Sequence, residues 1–385
     1  MYHVALTDSD LYKFTMQNAI CTLYPRVKAE YTFNCRDDRE FPEGFADRLK
    51  KIIDSFRGIS LSNDERDFMR EKCYYLNPVY LDFLRGYHYD PSEVFIEQIG
   101  HRLKLKIRGD WYRAVLWEVP LMATISELYF EETHEGPLNR RATQKKAVDL
   151  AENDIYYSEF GTRRRYSFEN QDLVIQDLKE HGRGHMLGTS NFYLAMKHNL
   201  TPLGTLAHEF YSAHAAMFGY TLANKMANEA WINVYQGDLG TALPDTFTTD
   251  VFLQTFSTKY AKLFDGLRQD SGFPLVFLEK AINHYVSLRI NPMHKYIMFS
   301  DNLKSIEQIV KIHKACEGRI LDRYGIGTWL SNDVAGAKPL SMVIKLTACH
   351  FDGHWVPTIK LSDDIGKNTG DPAEVTLCKQ ILRIA

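Results

Sequence analysis

Beyond Glu159 seven short apolar runs recur, with helical stretches between them: residues 184–189, 200–206, 247–252, 262–267, 296–299, 319–324 and 342–346. Strand-length segments that alternate with helices are not joined by two-residue hairpins. They need crossover connections and therefore lie parallel. Seven such units predict a seven-stranded α/β barrel. In barrels the chemistry sits on the loops at the carboxyl ends of the strands, so the residues just past each apolar run are the first place to look.

Before Glu159 the rhythm is different. Thr7 or Asp8 suits a helix N-cap, with Leu11, Phe14 and Met16 as an apolar stripe. Residues 28–36 alternate as a strand does, residues 45–86 are helical with Pro78 starting a further turn, and residues 94–117 alternate again. Gly100-His101 and Gly109-Asp110 fit tight turns, which predicts a small antiparallel sheet. The expected layout is a mixed α+β domain over 1–125, a barrel over 126–350, and a tail over 351–385 that returns to the first domain.

Composition narrows the class without choosing within it. With 45% apolar and 25% charged residues the chain is an ordinary globular protein, and its net charge of −3 argues against a nucleic-acid binder. Six cysteines without a CxxC pair, and no long apolar stretch, lead to the expectation of reduced thiols in a cytoplasm.

The loops after the apolar runs carry small, hydroxylated and charged residues. They are Gly188-Thr189-Ser190-Asn191, Arg268-Gln269-Asp270-Ser271-Gly272, Ser300-Asp301-Asn302 and Gly325-Ile326-Gly327-Thr328. Backbone N–H groups in such loops suit phosphate binding. In Gly204-Thr205-Leu206-Ala207-His208 a strand hands over to a helix, and His208 falls in the helix's first turn. The helix terminus disfavours an imidazolium there, leaving a neutral, nucleophilic ring.

Competing readings are weaker. His208 and His214 are six apart, which turns them onto different faces of a helix and rules out a zinc-protease pair. No GxxxxGK[ST] occurs, so ATP use cannot rest on a P-loop. Arg163-Arg164-Arg165 is either a solvated charge run or an anion clamp.

Together these stretches resemble the nicotinate phosphoribosyltransferase family. The matching motifs are Leu6-Thr7-Asp8 with Tyr12, Phe160-Gly161-Thr162-Arg163-Arg164, Gly188-Thr189-Ser190-Asn191, Gly204-Thr205-x-Ala207-His208, Asp245-Thr246-Phe247, Arg268-x-Asp270-Ser271-Gly272, Ser300-Asp301 and Gly325-Ile326-Gly327-Thr328. The resemblance implies an irregular α/β barrel plus an open-faced α+β sandwich domain built from both chain ends. It implies a ligase-class reaction: nicotinate and phosphoribosyl pyrophosphate (PRPP) become nicotinate mononucleotide and pyrophosphate, coupled to ATP hydrolysis. Magnesium would accompany PRPP and ATP.

The resemblance also implies roles. His208 would be phosphorylated by ATP, and Asp245 would orient it. Tyr12 and Phe160 would stack on the pyridine ring, with Thr205 and Arg268 contacting nicotinate and Arg163 beside it. Asp270 and Asp301 would serve the ribose or its magnesium. Arg164, Ser271, Gly272, Asn302, Gly327 and Thr328 would bind phosphates. Dimers of this fold share active sites, and both a homodimer and a monomer fit the family. The alternatives are a nicotinamide enzyme of the same fold and a non-catalytic barrel that senses nicotinate or nucleotides.

Overall fold

The computed structural model describes residues 2–37, 39–134, 136, 138–364 and 366–384. Its contacts divide the chain into two units. The first comprises Met1–Cys21, Lys28–Gly204 and Ile326–Lys345; the second comprises Thr22–Val27, Thr205–Gly325 and Leu346–Ala385.

In the first unit β1 (Lys28–Cys35), β2 (Val94–Ile99) and β3 (Arg102–Asp110) pair antiparallel with β3 in the middle. The β2–β3 hairpin turns at Gly100, whose φ of 59° places it in the left-handed region. The expected second turn at Gly109-Asp110 does not exist, because β3 runs through it and pairs Gly109 with Ala29. A Cβ there would lie 3.0 Å from the Glu93 carboxylate, which would have to give by a few tenths of an ångström. The alternation at Trp111, Val115 and Trp117 is likewise not a strand. Those residues are helical, leading into the helix Glu118–Thr133, and all three are buried. Complete burial of a helix removes its amphipathic signature, so spacing alone misreads it.

The same unit holds three parallel strands, β4 (Tyr157–Glu159), β5 (Met186–Thr189) and β6 (Thr201–Pro202), with β5 between the other two. The second unit holds β7 (Thr241–Ala242), β8 (Gly266–Gln269), β9 (Tyr296–Phe299) and β10 (Leu321–Ile326), parallel and side by side in chain order. These seven make one sheet. Leu206 N–H, just after β6, donates to the carbonyl of Thr241 in β7 at 3.4 Å.

The strand number matches the expectation, but two members differ. Residues 247–252 are the end of a 3-10 turn and the start of the helix Thr249–Thr255, and the strand of that repeat is the two-residue β7. Residues 342–346 open β11 (Met342–Phe351), which forms a hairpin with β12 (His354–Pro357) about the turn Asp352-Gly353 and belongs to the antiparallel sheet. β4 and β7 take their places. Both are too short to register as apolar runs.

Residues 1–21 and 28–125 group with the first three parallel strands, and residues 351–385 group with 205–325. Backbone bonding explains the tail: Leu361 N–H donates to Thr246 O at 2.8 Å, and Ser212 Oγ donates to Ile359 O at 2.9 Å. Among the described residues no helix is long and apolar enough to cross a membrane.

Candidate functional site

His208 opens the helix His208–Phe218, with Ala207 at the N-cap and no side chain closing that end. The helix start, the 3-10 turn Pro244–Phe247 and the loop after β8 bring His208, Thr246, Asp245 and Asp270 together. Nδ1 of His208 lies 3.0 Å from Thr246 Oγ1, and Nε2 lies 3.0 Å from Asp270 Oδ2 and 3.6 Å from Asp245 Oδ1. Burial lowers the proton affinity of the ring; Asp245 and Asp270 oppose this, and the Lys360 ammonium reinforces it. The expectation of a neutral ring therefore agrees with the direction in the folded site, although desolvation is the first cause rather than the helix end.

Lys360 was not anticipated. Its Nζ lies 2.8 Å from His208 Nε2 and 3.1 Å from Asp245 Oδ2. It comes from the tail, 152 positions further along the chain. The tail is stitched to the strand-end loops on both sides of the lysine. Asp363 accepts from Thr249 N–H (2.8 Å) and Thr249 Oγ1 (2.5 Å), and its own N–H donates to Ser271 Oγ at 3.0 Å. Gly272 N–H donates to Asp364 Oδ1 at 3.3 Å. Thr248 and Ser362, within this stitching, have φ of 72° and 79°, a region that a β-branched residue such as Thr248 occupies only under constraint.

The carboxylates differ in what holds them. Burial would raise Asp270, but Arg268, His208 and Lys360 outweigh it and keep the group well below the usual range. Asp245 is pulled down against its burial by His208 and Lys360; it is 1% exposed, and its Oδ1 lacks a hydrogen-bond donor. Asp301 goes the other way. Burial and the charges of Asp270, Asp364 and Asp245, against a smaller pull from Lys367, push it up to about 6. Arg268 is fully framed: Nε donates to Ser300 Oγ (2.7 Å), Nη1 to Thr205 Oγ1 (2.8 Å) and Nη2 to Asp270 Oδ1 (2.6 Å). Ser271 Oγ donates to Asp245 Oδ2 at 2.6 Å, and Asn302 is exposed.

His208, Asp245 and Asp270 are close enough to ligate one metal ion. Lys360 and Arg268 already neutralise that cluster, so it is a poor cation site. Asp301, whose proton affinity is raised by burial and by Asp270, Asp364 and Asp245, lies outside that cluster.

The remaining anticipated residues lie in the first unit. Tyr12 sits on the helix Leu11–Leu23, its hydroxyl made less acidic by burial and by Glu118. Arg163 Nη1 is 3.4 Å from Glu118 Oε1, and its Nε is 4.0 Å from Asp10 Oδ2. Phe160 follows β4, its N–H bonded to Ile326 O at 2.8 Å, and Gly327-Thr328 begin the turn after β10. Tyr12 and Phe160 make no ring contact with each other among the described residues. Arg164 turns its carbonyl to Asn332 Nδ2 at 2.8 Å.

Several motif residues serve the scaffold. Arg165, wholly buried, spans Asp8 (2.7 and 3.0 Å) and Glu127 (2.5 Å), so it is neither a solvated charge nor an anion clamp. Asn191 Nδ2 donates to Asp8 at 2.8 Å, Ser190 Oγ to Asp10 at 2.7 Å and Thr189 Oγ1 to Glu159 at 2.7 Å. Gly161 is required because a Cβ would fall 2.0 Å from Ser331 Oγ.

A nucleophilic ring among carboxylates and cations, on loops at the ends of parallel strands, is the apparatus of a group-transfer enzyme on an α/β sheet. The N-terminal domain profile of the nicotinate phosphoribosyltransferase (NAPRTase) family matches residues 7–126, and the main profile of that family matches residues 155–385. The nicotinate phosphoribosyltransferase of Desulforapulum autotrophicum is 47% identical over 98% of both chains, and that of Chromohalobacter salexigens is 46% identical over 99% of this chain and 98% of its own. The crystal structure of nicotinate phosphoribosyltransferase from Porphyromonas gingivalis superposes with a TM-score of 0.96 at 43% identity, covering 99% of each chain. A Saccharomyces cerevisiae structure described as a putative nicotinate phosphoribosyltransferase gives 0.94 at 33% identity, covering 100% of this chain and 99% of that one. The chain belongs to the nicotinate phosphoribosyltransferase family.

Proposed function

We propose that this chain joins nicotinate to the phosphoribosyl group of PRPP, forming nicotinate mononucleotide and pyrophosphate, and couples the reaction to ATP through phosphorylation of His208. The observation that carries the coupling is His208 itself: a ring held neutral by burial, with Thr246 at one nitrogen and Asp270 and Lys360 at the other. That is the state in which imidazole is a nucleophile.

Transfer to the pyridine nitrogen needs no general base, because that nitrogen already has a free lone pair. Catalysis then rests on positioning and on stabilising charge as pyrophosphate departs from an oxocarbenium-like ribosyl centre. Magnesium would come with PRPP, held beside Asp301 and by Asp270 only where it gives up Arg268 or His208, and when bound would draw negative charge off the departing pyrophosphate. Arg268, fixed by Thr205 and Ser300, would face the nicotinate carboxylate with its remaining N–H groups. In the first unit, Tyr12, Phe160 and Arg163 take the expected ring-binding roles and Gly327 and Thr328 the 5′-phosphate. Arg164, Ser271, Gly272 and Asn302 remain assigned to phosphates.

The test is mononucleotide formation from PRPP with nicotinate, nicotinamide or quinolinate, each with and without ATP. Nicotinate turnover accelerated by ATP, with ADP released, is the expected result. Preference for nicotinamide would overturn the substrate, and turnover indifferent to ATP would overturn the coupling.

A further inference from the structure

Lys360 has no role in that chemistry beyond lowering the proton affinity of His208, yet its placement is the most specific in the second unit. Its backbone is pinned: Lys360 N–H donates to Thr369 O (3.0 Å) and Thr369 N–H to Lys360 O (2.8 Å), while the next residue, Leu361, is bonded to Thr246. Its side chain ends between His208 Nε2 and Asp245 Oδ2.

The contacts at Nε2 are in competition. An ammonium has hydrogens and no lone pair, so at 2.8 Å it requires Nε2 to accept. A carboxylate only accepts, so Asp270 Oδ2 at 3.0 Å requires Nε2 to donate. One nitrogen of a neutral ring cannot do both. With Lys360 seated, the ring proton resides on Nδ1, facing Thr246 Oγ1, and the Nε2 lone pair is occupied. A phosphoryl group on Nε2 would meet Asp245 and Asp270 as like charges, and a cation must accompany it. Arg268 is unsuited, since its guanidinium is fixed in place by Ser300, Thr205 and Asp270 and its remaining N–H groups are assigned to the nicotinate carboxylate. Lys360 has a flexible stem and a compact, rotatable charge.

We propose that Lys360 is the phosphoryl-binding residue of the histidine step: its ammonium leaves the Nε2 lone pair, stays against Asp245, and binds an oxygen of the phosphoryl group that Nε2 acquires. This rests on the phosphohistidine reading of His208. In the step the Nε2 lone pair attacks the γ-phosphorus of ATP and the N–P bond forms. The bond from that phosphorus to the bridging oxygen breaks, and ADP leaves with the electron pair. The proton on Nδ1 stays where it is, and Lys360 keeps its three protons throughout.

The experiment is labelling of the full-length chain with γ-32P ATP, stopped in alkaline detergent because the N–P bond of a phosphohistidine is acid-labile, following both the amount of label and its decay after ADP-free dilution. For Lys360→Met the expected result is a phosphoenzyme level or lifetime reduced on the order of 10- to 100-fold, the worth of one charge-assisted hydrogen bond. Lys360→Arg, which keeps the charge and shows that the fold tolerates a change at this position, is expected to recover most of the label. Lys360→Met with wild-type labelling and lifetime would overturn the proposal, as would Lys360→Arg behaving like Lys360→Met with a native thermal melt. Absence of label in the wild type would overturn the phosphohistidine reading itself, an outcome read before any variant is made.

Discussion

The first unit buries many more charged groups than the second, and the two hold theirs in opposite conditions. In the first, the Asp8, Arg165, Glu127 and Asn191 network and the Glu159, Gln171, Thr189 and Gly161 network are closed, each polar side chain meeting a partner of the right kind. In the second, one oxygen of Asp245 lacks a donor, Nε2 of His208 is contested, and Asp301 is crowded by other carboxylates. A closed network rigidifies a core. An unfinished one leaves groups free to change partners during a reaction; burial raises proton affinities in the closed networks as well, Glu127 to about 8 and Glu159 to about 7.

If this contrast is right, substitutions in the second network should show in turnover and those in the first in stability. The largest effect is expected for His208→Ala, with the ATP-coupled rate falling on the order of 100-fold or more, at least about 2.7 kcal/mol of barrier. Its thermal melt should stay near wild type, and steady-state kinetics with and without ATP checks both halves. Arg165→Met is the converse: it leaves Asp8 and Glu127 buried without their cation, and urea unfolding should report a loss of about 3–5 kcal/mol. A small loss there would break the comparison.

His214 sharpens it within the second unit. Burial pushes its imidazole down to about 4, the Phe210 carbonyl opposing weakly, and Nε2 lies 2.8 Å from Tyr24 Oη. The folded value lies below the unfolded one of 6.5, so the unfolded chain binds a proton first as pH falls. Its contribution is intact above about pH 6.5 and is lost between there and about pH 4, by about 3 kcal/mol in all. Urea midpoints across that window should fall less steeply for His214→Gln than for wild type. The smallest effect is expected at Thr248→Gly. Relief of the positive φ, less the lost hydroxyl cap on the helix Thr249–Thr255, should raise stability by about 1 kcal/mol while lowering turnover, if that strain positions the loop carrying Asp245 and Thr246.

Much of the site was legible in the chain because it is local. The order of strand, loop and helix around Gly204 to Phe210 placed His208 at a helix start, and the apolar spacing beyond Glu159 indicated parallel strands joined by helices. The count of seven came out right through two substitutions, β4 and β7 standing in for residues 247–252 and 342–346. Very short strands carry almost no periodic signal, and fully buried segments such as Trp111 to Trp117 carry a misleading one.

The residues alone determined the kind of chemistry: a nucleophile, carboxylates, guanidinium groups and glycine-rich loops at the ends of parallel strands. Which of these stand open at strand ends and which are locked into the scaffold was decided only by the tertiary structure. Arg163 and Arg165 are two residues apart in the chain, yet one is partly exposed and the other is locked wholly inside a carboxylate cage. Lys360 lies in a polar tail with nothing in its neighbours to mark it, and it reaches His208 because strand pairing and side-chain bonds return the tail to the loops that carry the histidine's partners. Local sequence sets backbone preference and residue chemistry, whereas the desolvation and charge that shift a proton affinity depend on groups gathered from distant parts of the chain.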